Sequence, residues 1–217
     1  MAYNEVNEPQ SQYQSEPKPQ RVSLEDYLEM IADGERRLEY HDGQVVDIQS
    51  ATEQHGKICT NLTFEISTCQ RRSETCDVYA GDRELWVAEC NKMFYPDHLI
   101  VCGEHRFKQM SKNVKATINP SVVIEVLSDS TEEFDQTKKA RCYKMLKSLK
   151  QIVFVSQEEK YVRTVIKTEN ERIWNEMEFF EDDEKVPIGD CEILLKDIYR
   201  RVNFENAPQK ASDTEGS

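Results

Sequence analysis

Two acidic residues of this chain lie at apolar segments, where a carboxylate is costly to bury without a partner. Asp97 lies within the largely apolar run 95–101, and Glu125 interrupts the apolar run 122–127. Carboxylates on neighbouring strands can share one divalent cation, and Mg²⁺ prefers oxygen ligands and usually takes one or two protein carboxylates. Bound Mg²⁺ polarises a phosphoryl oxygen and activates a coordinated water. The pair therefore predicts a site for Mg²⁺, with Mn²⁺ as a second ion that it can take, and chemistry at phosphorus.

An ammonium group beside such a metal stabilises the negative charge that develops on the phosphoryl group. Lys139, on a predicted helix that follows the Glu125 strand, is the candidate for this role. Three more residues are candidates to assist, as an acid, a base or an additional ligand: Glu39, His55 and Asp82. The hypothesis requires the Asp97 and Glu125 carboxylates to meet around one ion, with the Lys139 ammonium beside them.

Each candidate also has a structural interpretation. Asp97 follows a proline and can cap a turn, and Glu125 can form a buried ion pair. Lys139 follows Asp135 by four residues, the orientation that stabilises a pair on a helix surface. His55 can be a solvated histidine, Glu39 can belong to a solvated charged face, and the acid after Gly81 can be a turn residue.

The elements that must position these residues follow from the spacing of apolar side chains. The nearly continuous apolar run 122–127 predicts a central strand that is covered on both faces. Capping residues and helical periodicity predict helices over 24–32, 53–71, 130–149 and the end of 191–202. Further strands are predicted over 38–48, 76–87, 95–101, 152–156, 161–167 and 173–180. The polar segment 103–119 is predicted to be an exposed loop, and the whole pattern is that of a mixed α/β sheet.

Length and composition predict a single domain over 22–205, between tails at 1–21 and 206–217 that are too polar to fold. The net charge of −13 argues against a nucleic-acid partner, because phosphate backbones favour basic surfaces. Contact with DNA would then depend on local basic clusters. These clusters are Arg71 with Arg72, Lys112 with Lys115, and the segment 138–150.

Seven cysteines are scattered along the chain without a CxxC pair, which argues against a structural zinc site. An odd count in a chain of this size favours reduced thiols in a cytoplasm. The sequence also contains no apolar stretch of about 18 residues and no signal peptide. A soluble, cytoplasmic protein without a membrane partner is expected.

The sequence resembles the Uma2 family, a branch of the PD-(D/E)XK nuclease superfamily whose members are often labelled restriction endonucleases. The strongest matching block is 120–131, followed by Asp135, Lys139 and Tyr143 at four-residue intervals. Weaker matches lie at 39–46, 55–62, 81–85, 95–97, 102–103 and 148–156. Together they cover residues 22–202.

This resemblance implies a restriction-endonuclease-like core with a central mixed β-sheet flanked by helices, dependence on Mg²⁺, DNA as substrate and a homodimer. It places the superfamily's two metal-binding acids at Asp97 and Glu125. The lysine of the superfamily motif would stand two residues after the second acid, where this chain has Leu127, and Lys139 is the nearest replacement. The alternative that follows is a catalytically inactive module of the same fold that binds nucleic acid or a protein partner.

Overall fold

The computed structural model of the protein describes residues 21–48, 50–71, 75–81, 83–127 and 135–204. Nearly all of the two predicted tails, the capping box at 130–133 and Asp82 therefore lie outside the described residues. The assignment of 22–205 to a single domain stays a prediction. Within the described ranges, every helix is too short or too polar to traverse a lipid bilayer.

Four α-helices are described, α1 (Leu24–Met30), α2 (Glu53–Gln70), α3 (Ala140–Tyr143) and α4 (Leu195–Ile198), together with a 3₁₀ turn at Ala88–Cys90. The helix α2 begins where predicted, because the Thr52 hydroxyl accepts the backbone N–H of His55 at 3.1 Å. One π-helical turn, Asp135–Lys139, leads directly into α3. The predicted helix over 130–149 ends early, at Tyr143, because the helical hydrogen-bond pattern gives way to turns. In one of them the Leu146 N–H donates to the Tyr143 carbonyl at 2.9 Å.

Fourteen strands are described, and twelve of them form two six-stranded mixed sheets. In chain order they are β1 (Leu38–His41), β2 (Gln44–Asp47), β3 (Cys76–Ala80), β4 (Leu85–Val87), β5 (Lys92–Phe94), β6 (His98–Cys102), β7 (Phe107–Gln109), β8 (Lys115–Thr117), β9 (Val122–Leu127), β10 (Gln151–Ser156), β11 (Val162–Lys167), β12 (Trp174–Phe179), β13 (Lys185–Ile188) and β14 (Cys191–Leu194). The first sheet has the order β2-β1-β5-β4-β8-β7 and the second has β12-β11-β10-β9-β6-β3, while β13 and β14 form a separate hairpin. The predicted α/β class is confirmed, with two large mixed sheets where one was expected.

Strand β9 is the central strand that the apolar run predicted, and all six of its residues are buried. It pairs in parallel with β10 and antiparallel with β6, so its backbone groups are satisfied on both sides. Its side chains alternate between two faces. Ile124 packs with Ile58 and Leu62 of α2, whereas Val123 packs on the other face with Tyr143 of α3. Glu125 therefore points to the face that α3 covers.

The expectation of an exposed loop over 103–119 is wrong, because β7 and β8 pair as an antiparallel hairpin there. The sequence of this hairpin shows little apolar alternation. Strand β7 has no fully buried residue, and the apolar contribution comes from Val114 and Ala116, which pack against Trp86. The hairpin of β13 and β14 was also missed, since its strands are short and interrupted by Pro187.

The prediction of reduced thiols is wrong for four of the cysteines. Cys69 at the end of α2 is bonded to Cys191 of β14, and Cys76 of β3 is bonded to Cys102, its register partner on β6. The two bridges span 122 and 26 residues of chain, separations that the cysteine spacing alone cannot reveal. Three cysteines in the described ranges carry free thiols: Cys59, Cys90 and Cys142.

Replacing both Cys76 and Cys102 by serine is expected to lower the free energy of unfolding by about 2–4 kcal/mol, the usual effect of releasing a loop of this size. Urea denaturation without reductant measures the loss. Cys90→Ser serves as the control, because Cys90 carries a free thiol, and its curve should follow the wild type. An unchanged midpoint in the double variant would show that the bridge does not contribute to stability.

Candidate active site

Glu125 lies in the middle of the central strand and is only 4% exposed. Its carboxylate accepts a hydrogen bond from the Tyr143 hydroxyl at 2.6 Å, and the Lys139 ammonium lies 3.6 Å from the same oxygen. Lys139 belongs to the π-helical turn and Tyr143 belongs to α3, and both elements pack over this face of β9. The buried carboxylate is therefore compensated by a donor and a cation.

The Lys139 ammonium also contacts a second buried carboxylate, supplied by the other sheet. It lies 3.1 Å from Oε1 of Glu39 on β1. The Tyr95 backbone N–H donates to the same Glu39 oxygen at 3.1 Å, and His41 Nε2 lies 2.9 Å from the other. Lys139 thus joins Glu39 and Glu125, which come from two different sheets, into one buried cluster.

The charge on Glu39 is stabilised in place. Burial on its own would raise the pKa of this carboxyl, but Lys139, His41 and the Tyr95 N–H outweigh burial, and the pKa lies below its ordinary value. Glu39 is therefore ionised at neutral pH although it is only 4% exposed. The interpretation of Glu39 as part of a solvated face is wrong.

Asp97 lies beside this cluster at the N-terminal end of β6. Strand register pairs His98 with Ile124, so one step further along the ladder brings Asp97 opposite Glu125. Its Oδ2 accepts the backbone N–H of Val126 at 2.7 Å, which ties the Asp97 carboxylate to the residue that follows Glu125. The two acids predicted from the sequence are thus neighbours across adjacent strands.

His55 reaches Asp97 from the first turn of α2, with Nε2 at 3.0 Å from Oδ1. Burial would lower the pKa of His55, but the hydrogen bond and the charge of Asp97 outweigh it, and the pKa is raised. Both side chains remain about one-fifth exposed, 21% and 20%. The Asp97 end of the cluster therefore opens toward solvent, whereas the Lys139 end is closed.

A third group at this open end, Cys59, was missed by sequence analysis. Its Sγ lies 3.6 Å from His55 Nδ1, one helical turn further along α2. Burial raises the pKa of the Cys59 thiol, and the negative charges of Asp97 and Glu125 raise it further. The histidine and cysteine at i and i+4 on one helix are the signal that could have identified this residue.

The structure brings together five of the predicted site residues: Glu39, His55, Asp97, Glu125 and Lys139. Their catalytic roles stay proposals, and Asp82 is outside the described residues. Lys139 is 8% exposed and contacts two carboxylates, so the surface-pair interpretation does not fit it. Leu127, where the resemblance to the nuclease superfamily places a lysine, packs in the apolar cluster with Val123. The ammonium enters the site from the next helix instead.

Removing the Tyr143 hydroxyl is expected to destabilise the protein, because the Glu125 carboxylate loses its short buried hydrogen bond. A Tyr143→Phe variant should lose about 1–3 kcal/mol of unfolding free energy, measured by urea denaturation. Tyr161→Phe is the matched control, since the Tyr161 hydroxyl bonds an exposed carboxylate on Glu178. Equal losses in the two variants would contradict a special role for the buried bond.

The two mixed sheets, with the cluster of Glu39, Glu125 and Lys139 between them, form an α/β fold that a solved structure shares. A crystal structure from Anabaena variabilis ATCC 29413, described as "a putative nuclease belonging to DUF820", has the same fold with a TM-score of 0.65. The similarity covers 82% of this chain and 97% of that one at 17% identity, and it shows the fold alone.

The chain belongs to the Uma2 family, described as "Putative restriction endonuclease", whose sequence model matches residues 24–192. This confirms the resemblance noted from the motifs. Two uncharacterized proteins of Synechocystis sp. are similar to it. The protein sll1609 is 27% identical over 136 residues, covering 63% of this chain and 75% of its own length. The protein slr1290 is 26% identical over 142 residues, covering 65% and 72%.

Proposed function

We propose that this protein is a metal-dependent endonuclease of the PD-(D/E)XK type that hydrolyses phosphodiester bonds of DNA. The observation that carries the proposal is the Lys139 ammonium, buried between Glu39 and Glu125 beside the strand end that holds Asp97. The Asp97 and Glu125 carboxylates can hold a divalent cation, and the ammonium beside them can stabilise the charge that develops at phosphorus. Membership of the Uma2 family supports the same reaction.

The donor set fits a hard divalent cation such as Mg²⁺ or Mn²⁺. Asp97 and Glu125 offer carboxylate oxygens from opposite positions on β6 and β9, and Asp97 is accessible from solvent. A bound ion would polarise a phosphoryl oxygen and lower the pKa of a coordinated water. Such a centre needs only these two protein ligands, because Mg²⁺ usually retains several waters.

The remaining residues would act on the substrate and on the ligands. Lys139 would neutralise the charge that develops on the phosphoryl group. Glu39 holds the ammonium in place, and Tyr143 orients the Glu125 carboxylate through its hydroxyl. His55, hydrogen-bonded to Asp97, orients that carboxylate and can carry a proton at the open end of the site.

The second candidate is a nuclease-fold module that binds nucleic acid or a protein without cleaving. Leu127 in place of the motif lysine favours it, and so does the net charge of −13. In this alternative Lys139 only compensates Glu39 and Glu125. The two candidates differ in one property, the hydrolysis of DNA in the presence of a divalent cation.

Incubating supercoiled plasmid and single-stranded DNA with the protein tests the proposal. We expect cleavage with Mg²⁺ or Mn²⁺, no cleavage with EDTA, and loss of cleavage in Asp97→Asn. Asp182→Asn is the control, because Asp182 is exposed and pairs with Lys160. Binding of DNA without cleavage under all metal conditions would favour the non-catalytic module.

A homodimer is proposed through β12, which lies at the edge of the second sheet. Three large apolar side chains at or beside this strand are more than one-third exposed: Ile173, Met177 and Phe180. Edge strands with exposed apolar groups pair readily with a second chain. Light scattering should give twice the chain mass, and Met177→Lys should give the monomer. A monomeric wild type would contradict the proposal.

A further inference from the structure

The open end of the site carries a set of donors that differs from the carboxylate pair. One possible ligand atom of each of His55, Cys59 and Asp97 lies within 4.8 Å of the other two. Among the described residues, this is the group of three His, Cys, Asp or Glu side chains that is close enough to hold a metal ion. The set combines imidazole nitrogen, thiol sulfur and carboxylate oxygen. Sulfur and nitrogen are the ligands of borderline transition metals such as Zn²⁺, whereas Mg²⁺ prefers oxygen alone.

The three side chains lie close enough to share one ion, although their present contacts use both nitrogens of His55. Ligands at about 2.0–2.3 Å from a shared Zn²⁺ lie about 3.3–3.8 Å from one another in tetrahedral geometry. The Cys59 Sγ and His55 Nδ1 are 3.6 Å apart, and His55 Nε2 and Asp97 Oδ1 are 3.0 Å apart. Because these two contacts use different nitrogens, binding one ion requires the imidazole to turn so that a single nitrogen faces the ion together with the Cys59 sulfur and an Asp97 oxygen. All three side chains are partly exposed, so a water can supply the fourth ligand, as it does in open zinc sites.

The backbone at Cys59 is held in place by contacts from a buried histidine. His98 is completely buried, and its Nε2 lies 3.2 Å from the Cys59 carbonyl and 2.9 Å from the Thr63 hydroxyl. The buried imidazole donates to this carbonyl and so holds the turn of α2 from which the thiol projects.

We propose that His55, Cys59 and Asp97 form a site for Zn²⁺ or a similar transition-metal ion, bound through the Cys59 sulfur. The Asp97 carboxylate belongs to both proposed sites, so we expect Zn²⁺ bound here to compete with Mg²⁺ and to lower the metal-dependent cleavage. The binding site stands on the three donors themselves, while the inhibition rests on the proposed nuclease function.

Titration of the full-length protein with Co²⁺ tests the site, because cobalt bound to a thiolate gives a sulfur-to-metal charge-transfer band in the near ultraviolet. We expect this band in the wild type and in Cys90→Ser, its absence in Cys59→Ser, and its removal by added Zn²⁺. His55→Gln, which keeps the thiol, should weaken Co²⁺ binding at least about tenfold. No band in the wild type, or a band that persists in Cys59→Ser, would overturn the proposal.

Two controls separate this inference from the proposed function. The thermal unfolding midpoint of Cys59→Ser without metal shows whether the variant is folded, and His55→Gln tests the site independently. If the Co²⁺ band depends on Cys59 but no DNA is cleaved with Mg²⁺, the zinc site stands and the nuclease proposal fails. If Mg²⁺ supports cleavage and Co²⁺ gives no such band, the nuclease stands and the zinc site fails.

Discussion

Replacing Glu125 by glutamine is expected to lower the rate of Mg²⁺-dependent DNA cleavage by about 10²–10⁴-fold. The change removes one of two proposed metal ligands, and the charge stabilisation that a metal supplies is several kcal/mol, each 1.4 kcal/mol of which is about tenfold in rate. The amide is nearly isosteric and can still accept the Tyr143 hydroxyl, which now bonds the carboxylate at 2.6 Å. Initial rates of plasmid nicking at saturating Mg²⁺ measure the effect.

The control for this experiment is Glu192→Gln. Glu192 is an exposed carboxylate on β14 that pairs with Lys185 at 3.0 Å, far from the site in the chain and on a separate hairpin. Its removal should leave the rate unchanged. If Glu125→Gln cleaves DNA as fast as this control, Glu125 is only the structural ion-pair partner of Lys139.

Replacing Lys139 by methionine is expected to impair both stability and cleavage. The loss leaves Glu39 and Glu125 buried without their common cation, and breaking a buried pair by removing one partner costs about 3–5 kcal/mol. Cleavage should fall by about 10²–10³-fold, as for the loss of one charge-stabilising donor in a transition state. Urea denaturation and plasmid nicking measure the two effects, with the exposed Lys160→Met as the matched control.

The pH dependence of stability gives this prediction a specific signature. Lys139 helps to hold the pKa of Glu39 below its ordinary value. A depressed folded-state pKa contributes stability above the unfolded pKa of about 4.3 and loses it as the pH falls. The difference in unfolding free energy between wild type and Lys139→Met should therefore be largest near neutrality and shrink on acidification below about pH 4.

A double variant separates the two effects of the lysine. Adding Glu39→Gln to Lys139→Met removes one of the uncompensated charges and should recover part of the stability, but it should leave cleavage impaired. Cleavage that returns together with stability would mean that Lys139 acts only through folding. In that case the ammonium would have no part in the chemistry.

The central strand and its acid could be predicted from the sequence because their signals are local. An apolar run long enough for one strand, broken by a single carboxylate, specifies both β9 and the buried position of Glu125. The same holds for α2, which Thr52 caps, and for the strands predicted over 38–48, which the structure joins by a turn at Asp42-Gly43, where both residues have positive φ angles.

The partners of these residues could not be predicted, because they come from distant parts of the chain. Glu39 and Lys139 lie one hundred positions apart in sequence and meet at 3.1 Å only when the two sheets pack. The charged sequence neighbours of Glu39 favour a solvated position for it. The disulfide between Cys69 and Cys191 could not be predicted either, because its two cysteines are 122 residues apart in the sequence.

The metal centre itself can be tested by diffraction from crystals of the protein soaked in Mn²⁺, with data that record the anomalous signal of manganese. We predict a peak about 2.0–2.5 Å from carboxylate oxygens of both Asp97 and Glu125, beside the Lys139 ammonium. A manganese ion that contacts Asp97 without Glu125, or no ion at either carboxylate, would contradict it.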